Sequence, residues 1–84
     1  MLYRICTEDT NRRQLTDLID QHFDGYTLYT VEGRWKGKAE DALIIEIASH
    51  GTFSRVKVLA EAIKELNQQE PVLIEVVPSE NSFV

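Results

Sequence analysis

The stretch Tyr26–Ala48, YTLYTVEGRWKGKAEDALIIEIA, decides the fold. Its first part, Tyr26–Val31, is a run of β-branched and aromatic residues that reads as a strand with alternating faces. Its last part, Ala42–Ala48, reads as another, with Leu43, Ile45 and Ile47 on one face and Ile44 and Glu46 on the other. Between them Glu32–Asp41 is polar and carries Gly33 and Gly37, which predicts a loop or the tip of a long hairpin. Two adjacent strands in mid-chain leave the flanking segments to explain.

Both flanks carry helical periodicity. Upstream, Leu2–Cys6 reads as a first strand. Thr7-Glu8-Asp9-Thr10 then offers two hydroxyl caps and acidic residues for a first helical turn. Leu15, Leu18, Ile19 and Phe23 follow as one apolar stripe. Asp24-Gly25 ends that helix, with Gly25 suited to a left-handed position. Downstream, Ser49-His50-Gly51-Thr52 is turn chemistry, and Thr52 or Ser54 can cap a second helix. Val56, Leu59, Ile63 and Leu66 mark its apolar face; Lys57, Glu61, Lys64 and Glu65 mark its wet side. Asn67-Gln68-Gln69-Glu70-Pro71 stops it, because proline disfavours helix at the residue before it. Val72–Val77 is a last strand closed by Pro78, and Ser79–Val84 is a polar tail with a late Phe83.

The order is therefore β-α-β-β-α-β. Right-handed crossovers put both helices on one face of the sheet. The predicted fold class is α+β, a ferredoxin-like sandwich with a four-stranded antiparallel sheet and two helices behind it. The second face of that sheet is partly apolar, with Leu73 and Val77 on one side of the last strand and Val72, Ile74 and Val76 on the other. Association through it is the simplest physical remedy, so a homo-oligomer is expected.

Length and charge agree with this. A chain of 84 residues is one domain, 1–84, at a size where oligomerisation often completes the core. At 43% hydrophobic and 27% charged residues the composition is that of a soluble globular protein. With 9 Lys+Arg against 14 Asp+Glu the net charge is -5, which argues against a general nucleic-acid partner. The single cysteine, Cys6, excludes an internal disulfide and should be a small buried hydrophobe. The N-terminus enters a strand at once, with no signal peptide and no apolar span, so a cytoplasmic location and no membrane partner are expected.

The chemistry-bearing residues concentrate in the hairpin. Glu32–Glu40 holds the only Trp, three of the nine cations and two of the four glycines. Gly33 and Gly37 let the backbone turn and let a ligand approach the amides. Arg34, Lys36 and Lys38 can meet an anionic group, and Trp35 can stack on a base or a cation. The alternative is a hairpin that packs on a neighbouring subunit with its lysines solvated. Glu40 opens the next strand, placed for ribose hydroxyls or an ammonium group, or simply solvated. Tyr26 and Tyr29 fall on opposite strand faces, and Tyr29 shares its face with Val31, Gly33 and Trp35. Glu46 and Glu75 interrupt aliphatic runs and either form salt bridges or face water, or face an oligomer partner on the open side of the sheet. His22 complements the end of the first helix, and His50 stands in a turn. No His/Cys/Asp cluster has metal-ligand spacing, and no phosphate-loop, dinucleotide-fold or serine-hydrolase motif is present. No metal or cofactor is expected.

The element order, the hairpin Gly33-Arg34-Trp35-Lys36-Gly37 and the closing Gln69-Glu70-Pro71-Val72-Leu73 resemble the PII-like (GlnB-like) superfamily of trimers. The resemblance implies a homotrimer with ligand sites between subunits near this loop. The loop is much shorter than the signalling loop of true nitrogen regulators and lacks their phosphate-binding elements. The Gly-x-Trp-x-Gly-x-x-Glu run is similar to small phage proteins, among them the S-adenosylmethionine lyases. That likeness implies Tyr29 and Glu40 as catalytic residues, methylthioadenosine and homoserine lactone as products, and a host-cytoplasm location. The substrate's own carboxylate attacks its γ-carbon, so the protein supplies positioning and electrostatic fit. Three readings stand: a lyase; a non-catalytic nucleotide binder that senses or sequesters a ligand with an adenosine-like group; and a structural or protein-interaction module.

Overall fold

The computed structural model describes residues 1–48, 53–69, 71–78 and 80. The elements are β1 (Leu2–Glu8), α1 (Arg12–His22), β2 (Thr27–Trp35), β3 (Lys38–Ala48), α2 (Phe53–Asn67) and β4 (Leu73–Val77). They form one antiparallel sheet in the order β2-β3-β1-β4, the expected α+β ferredoxin-like arrangement.

Period-two alternation sorts the sheet into two unlike faces. On one, Tyr3, Ile5, Leu43, Ile45 and Ile47 are buried under the helices. The helices contribute Leu15, Ile19, Val56, Leu59, Ala60 and Ile63 to the same core. Each fully buried Leu or Ile contributes about 1.5–3 kcal/mol of transfer free energy. Leu28 and Ile74, on the edge strands, pack against this core and are partly buried.

Helix ends depart from the expected chemistry. Thr7 is not a cap: it lies within β1, 4% exposed, and its hydroxyl donates to the Gln69 side chain. The N-cap of α1 is Asn11, left-handed at φ 52° and without a side-chain capping bond; no acidic residue stands in the first turn. At the other end Gly25 is not left-handed. The chain leaves α1 through an extended Phe23, whose N–H donates to Ile19 O at 2.9 Å. Thr52, one expected cap of α2, and the turn around His50 lie outside the described residues, as do Glu70, Ser79 and the final residues with Phe83.

The end of α2 is a complete Schellman motif. Gln68 is left-handed at φ 51°, its N–H donates to Glu65 O at 3.3 Å, and Gln69 N–H donates to Lys64 O at 3.2 Å. Gln69 then clamps the strand beside it, accepting from Glu8 N–H at 3.3 Å and donating to Pro71 O at 2.8 Å. Asn67 joins the clamp through Thr7 Oγ1 at 3.1 Å. These bonds fix the direction in which the chain enters β4.

A left-handed glutamine costs more than a left-handed glycine. Gln68→Gly should therefore stabilise the protein by about 0.5–1 kcal/mol, read from urea unfolding; destabilisation would show that the Gln68 side chain contributes what its backbone costs. Tyr26 gives a second test. Burial, then its 2.6 Å hydrogen bond to Asp20, pushes its hydroxyl up to about 12. The folded state thus holds this proton more tightly than the unfolded chain. The associated stability should be full below pH 10 and lost as pH rises to about 12. In an ultraviolet titration Tyr26→Phe should delete the late phenolate step; loss of a step near 10 instead would contradict it.

Candidate functional site

Strand pairing places the candidate residues. Tyr29 lies opposite Ile44, Gly33 opposite Glu40, and Trp35 opposite Lys38. Cross-strand partners share a face, so Tyr29, Gly33, Trp35, Lys38 and Glu40 all lie on the side of the sheet away from the helices. Arg34 lies on the other side, opposite Ala39.

The segment expected as a loop is strand almost throughout. β2 runs to Trp35 and β3 starts at Lys38, leaving a two-residue turn. Lys36 at φ 50° and Gly37 at φ 79° give both central residues positive φ, the turn that matches the twist of paired strands. Gly37 therefore serves the turn. Gly33 does not: its backbone is unstrained, and a side chain there would meet Ala42 Cβ at an ordinary 3.5 Å. Arg34 Nη2 reaches over the turn to Gly37 O at 3.1 Å, and Lys36 Nζ lies 5.9 Å from the Trp35 ring. The tip is thus partly organised by its own cations. Trp35 remains 60% exposed, and Arg34 to Asp41 are exposed on both sides of the hairpin.

Glu40 and Tyr29 share a face but not a neighbourhood. Glu40 lies four residue steps along β3 from Ile44, the partner of Tyr29, which is about 13 Å along the strand. The Tyr29 hydroxyl turns the other way and donates to Glu46 Oε1 at 3.3 Å. Tyr26 precedes β2 and packs on the core side.

The open face also carries a polar row. Glu46, Arg4 and Glu75 lie side by side on β3, β1 and β4. Arg4 Nε donates to Glu46 Oε2 at 3.0 Å, so Glu46 forms one of the expected salt bridges. That hydrogen bond, partly opposed by burial, raises the Arg4 pKa. Cys6 is on this face too and only half-buried, not in the core as expected. Its Sγ sits 3.8 Å from Glu75 Oε1; burial and the Glu75 charge push its thiol up, which disfavours the reactive thiolate. Arg4 gives no sequence signal as a site residue, because Glu46 and Glu75 come beside it only through strand register.

A second polar cluster stands at the start of α1, where Arg12 pairs with Asp9 at 2.8 and 2.9 Å and reaches Thr30 Oγ1 at 3.1 Å. The Arg12 guanidinium holds the Asp9 carboxyl below its usual range. His22 Nδ1 lies 2.9 Å from Leu18 O, and Arg55 donates to His22 O at 2.7 Å while stacking on Phe23. These contacts secure the end of α1. Among the described residues no group of three or more His, Cys, Asp or Glu is placed to hold a metal, and no helix is long and apolar enough to cross a membrane. A shallow groove of about 450 Å³ runs between α1 and α2 past Leu18, Ala62 and Leu66, remote from the hairpin. Tyr29, Trp35 and Glu40 line neither that groove nor a smaller one at Arg55 and Val58.

No protein-family model and no curated protein matches the chain. Solved structures do. A DUF3240 family protein from Shewanella baltica matches with TM-score 0.73 at 14% identity, over 99% of this chain and 93% of that one. CPII, a nitrogen regulatory PII-like protein from Thiomonas intermedia solved with ADP, AMP and bicarbonate, matches with TM-score 0.62 at 20% identity, over 88% of this chain and 82% of that one. A de novo designed protein, Foldit4, matches with TM-score 0.53 at 16% identity, over 94% of both chains. Because a designed protein shares the architecture, the likeness speaks to fold, and function must come from the site. The fold of this chain is that of the PII-like and DUF3240 structures.

Proposed function

We propose that the chain is a non-catalytic binder of an adenine nucleotide, or of a compound with a similar adenosine-like group, held at the Trp35 hairpin between copies of the chain. The observation that carries this reading is the hairpin's contrast with the rest of the molecule. A 60% exposed Trp35 shares its face with Lys38 beside the turn residue Lys36, with Arg34 on the other face of the hairpin, in a chain whose net charge is -5. An aromatic face beside cations suits a purine joined to phosphates. The Lys36 ammonium lies over the Trp35 ring, 5.9 Å from its centroid, so a cation already stands on the aromatic group that a purine would stack on. One chain supplies one wall of a site, whereas a small ligand is held by burying most of its surface. The second wall belongs to a neighbouring copy, a trimer in the finest version of this reading. The fold likeness to CPII, which was solved with ADP, AMP and bicarbonate, supports small-ligand binding with an adenine nucleotide among the candidates.

The lyase is the finer alternative at the same place. It asks Tyr29 and Glu40 to act together, and in one chain the Tyr29 hydroxyl is engaged by Glu46. A catalytic pair would need Glu40 of one copy beside Tyr29 of another. Binding alone needs no such coincidence, and on that ground it is preferred.

Calorimetry with ADP, AMP and adenosine tests the binder. Stacking on an aromatic is worth about 1–3 kcal/mol, so Trp35→Ala should weaken ADP binding about fivefold or more. Lys36→Ala with Lys38→Ala should weaken ADP more than adenosine. Absence of heat with all three ligands would overturn the proposal. Incubation with S-adenosylmethionine followed by chromatography separates the lyase: methylthioadenosine that disappears in Glu40→Gln would replace binding with catalysis.

A further inference from the structure

The outer surface of the helices, opposite the sheet, carries a groove. The shallow cleft between α1 and α2 continues into the smaller one at Arg55 and Val58, because Gln21 lines both. Val58, Ala62 and Leu66, at i, i+4 and i+8 on α2, form an apolar floor with Leu18 of α1. Val58 is 55% exposed, and Leu18, Ala62 and Leu66 are half-buried. The steps from Val58 to Leu66 rise about 12 Å, roughly two helical turns.

Charge is sorted across this groove. Asp17 stands on its α1 bank and Glu65 on its α2 bank, both exposed. Among the described residues neither carboxylate makes an ion pair. The lysines of α2 point elsewhere: at about 100° per residue, Lys57 and Lys64 lie about 140° and 160° around the helix from Ala62. Arg12 is held by Asp9 and Thr30, and Arg13 makes no ion pair with Asp17. Arg55 reaches the groove only at its far end and is committed to His22 O and the Phe23 ring. An apolar floor therefore runs between two unpaired carboxylates, one on each bank.

We propose that this groove docks an amphipathic helical segment of a protein partner, apolar along one stripe and basic on its flanks. Apolar side chains at i, i+3, i+4 and i+7 of that segment cover the floor, and lysines or arginines beside them meet Asp17 and Glu65. Charge decides the occupant. Both banks repel the phosphates of a nucleic acid or of an anionic membrane. A second copy of the chain docked about a two-fold axis sets like carboxylates against each other. A basic flank neutralises both banks and fixes the register of the segment in the groove. The groove lies on the far side of the molecule from the open sheet face and is remote from the hairpin, so the inference stands apart from the nucleotide reading.

Fluorescence anisotropy with two labelled synthetic peptides and the full chain tests it. Both peptides carry leucines at that helical spacing; one has lysines on its flanks and the other glutamates. The lysine peptide should bind at least about tenfold more tightly, by a margin that shrinks as salt rises. Asp17→Lys with Glu65→Lys should reverse the preference, with circular dichroism confirming folding. Val58→Ser, at an exposed position, should weaken the lysine peptide about threefold or more. A lysine peptide that binds no better than the glutamate peptide would overturn the proposal. So would a preference that survives both charge reversals. Binding to phosphatidylserine vesicles but to neither peptide would move the occupant to a membrane, and a change of oligomeric state in the double variant would move it to a second copy; either result overturns the proposal. ADP calorimetry on the same double variant reads the hairpin separately and should match the unaltered chain.

Discussion

Burial on one side only is the constraint from which the rest of this structure follows. Ile5, Leu43 and Ile45 are fully buried, and Tyr3 and Ile47 nearly so, all on the side of β1 and β3 that meets the helices. A strand displays its residues alternately, so the same backbone must present Arg4, Cys6, Ile44 and Glu46 to the other side. Two helices suffice for one face of a four-stranded sheet. The other face keeps a mixture of aliphatic, aromatic and charged groups that neither solvent nor a core suits well.

Unequal strand lengths add a second consequence. β3 has 11 residues and β2 has 9, whereas β1 has 7 and β4 has 5. The β2–β3 hairpin therefore extends past the strands and helices that cover its base. Its end is paired strand rather than loop, because strand pairing continues to Trp35 and Lys38 and the turn takes two residues. A projecting, ordered hairpin with an exposed indole and cations is a wall without a floor. In the proposed assembly another copy would complete it, and the open face and the hairpin would be satisfied together.

The element order and the buried stripes were readable because they depend on local periodicity. Leu43, Ile45 and Ile47 on β3, and Val56, Leu59 and Ile63 on α2, are buried as their spacing requires. The face shared by Tyr29, Gly33 and Trp35 followed from alternation and survives in the strand register. Helix ends were less legible. Thr7 looks like a cap from its neighbours, yet its hydroxyl is taken by Gln69, 62 positions away. The exit of α1 uses an extended Phe23 rather than Gly25, held by a backbone bond that any residue could make. Arg4 is illegible for a like reason: its partner Glu46 is 42 positions distant and meets it only through β1–β3 pairing. The bordering strand that shortens the loop to Lys36 and Gly37 was likewise set by pairing, in a segment whose composition is polar enough for a loop.

The account's central claim is that copies of this chain come together and hold a nucleotide at the hairpin. A native mass measurement of the unaltered protein, made with and without ADP, reports assembly and occupancy in one spectrum. The account predicts a multimer that gains whole ADP masses, no more than one per chain. A chain that stays monomeric and takes up no ADP would contradict it.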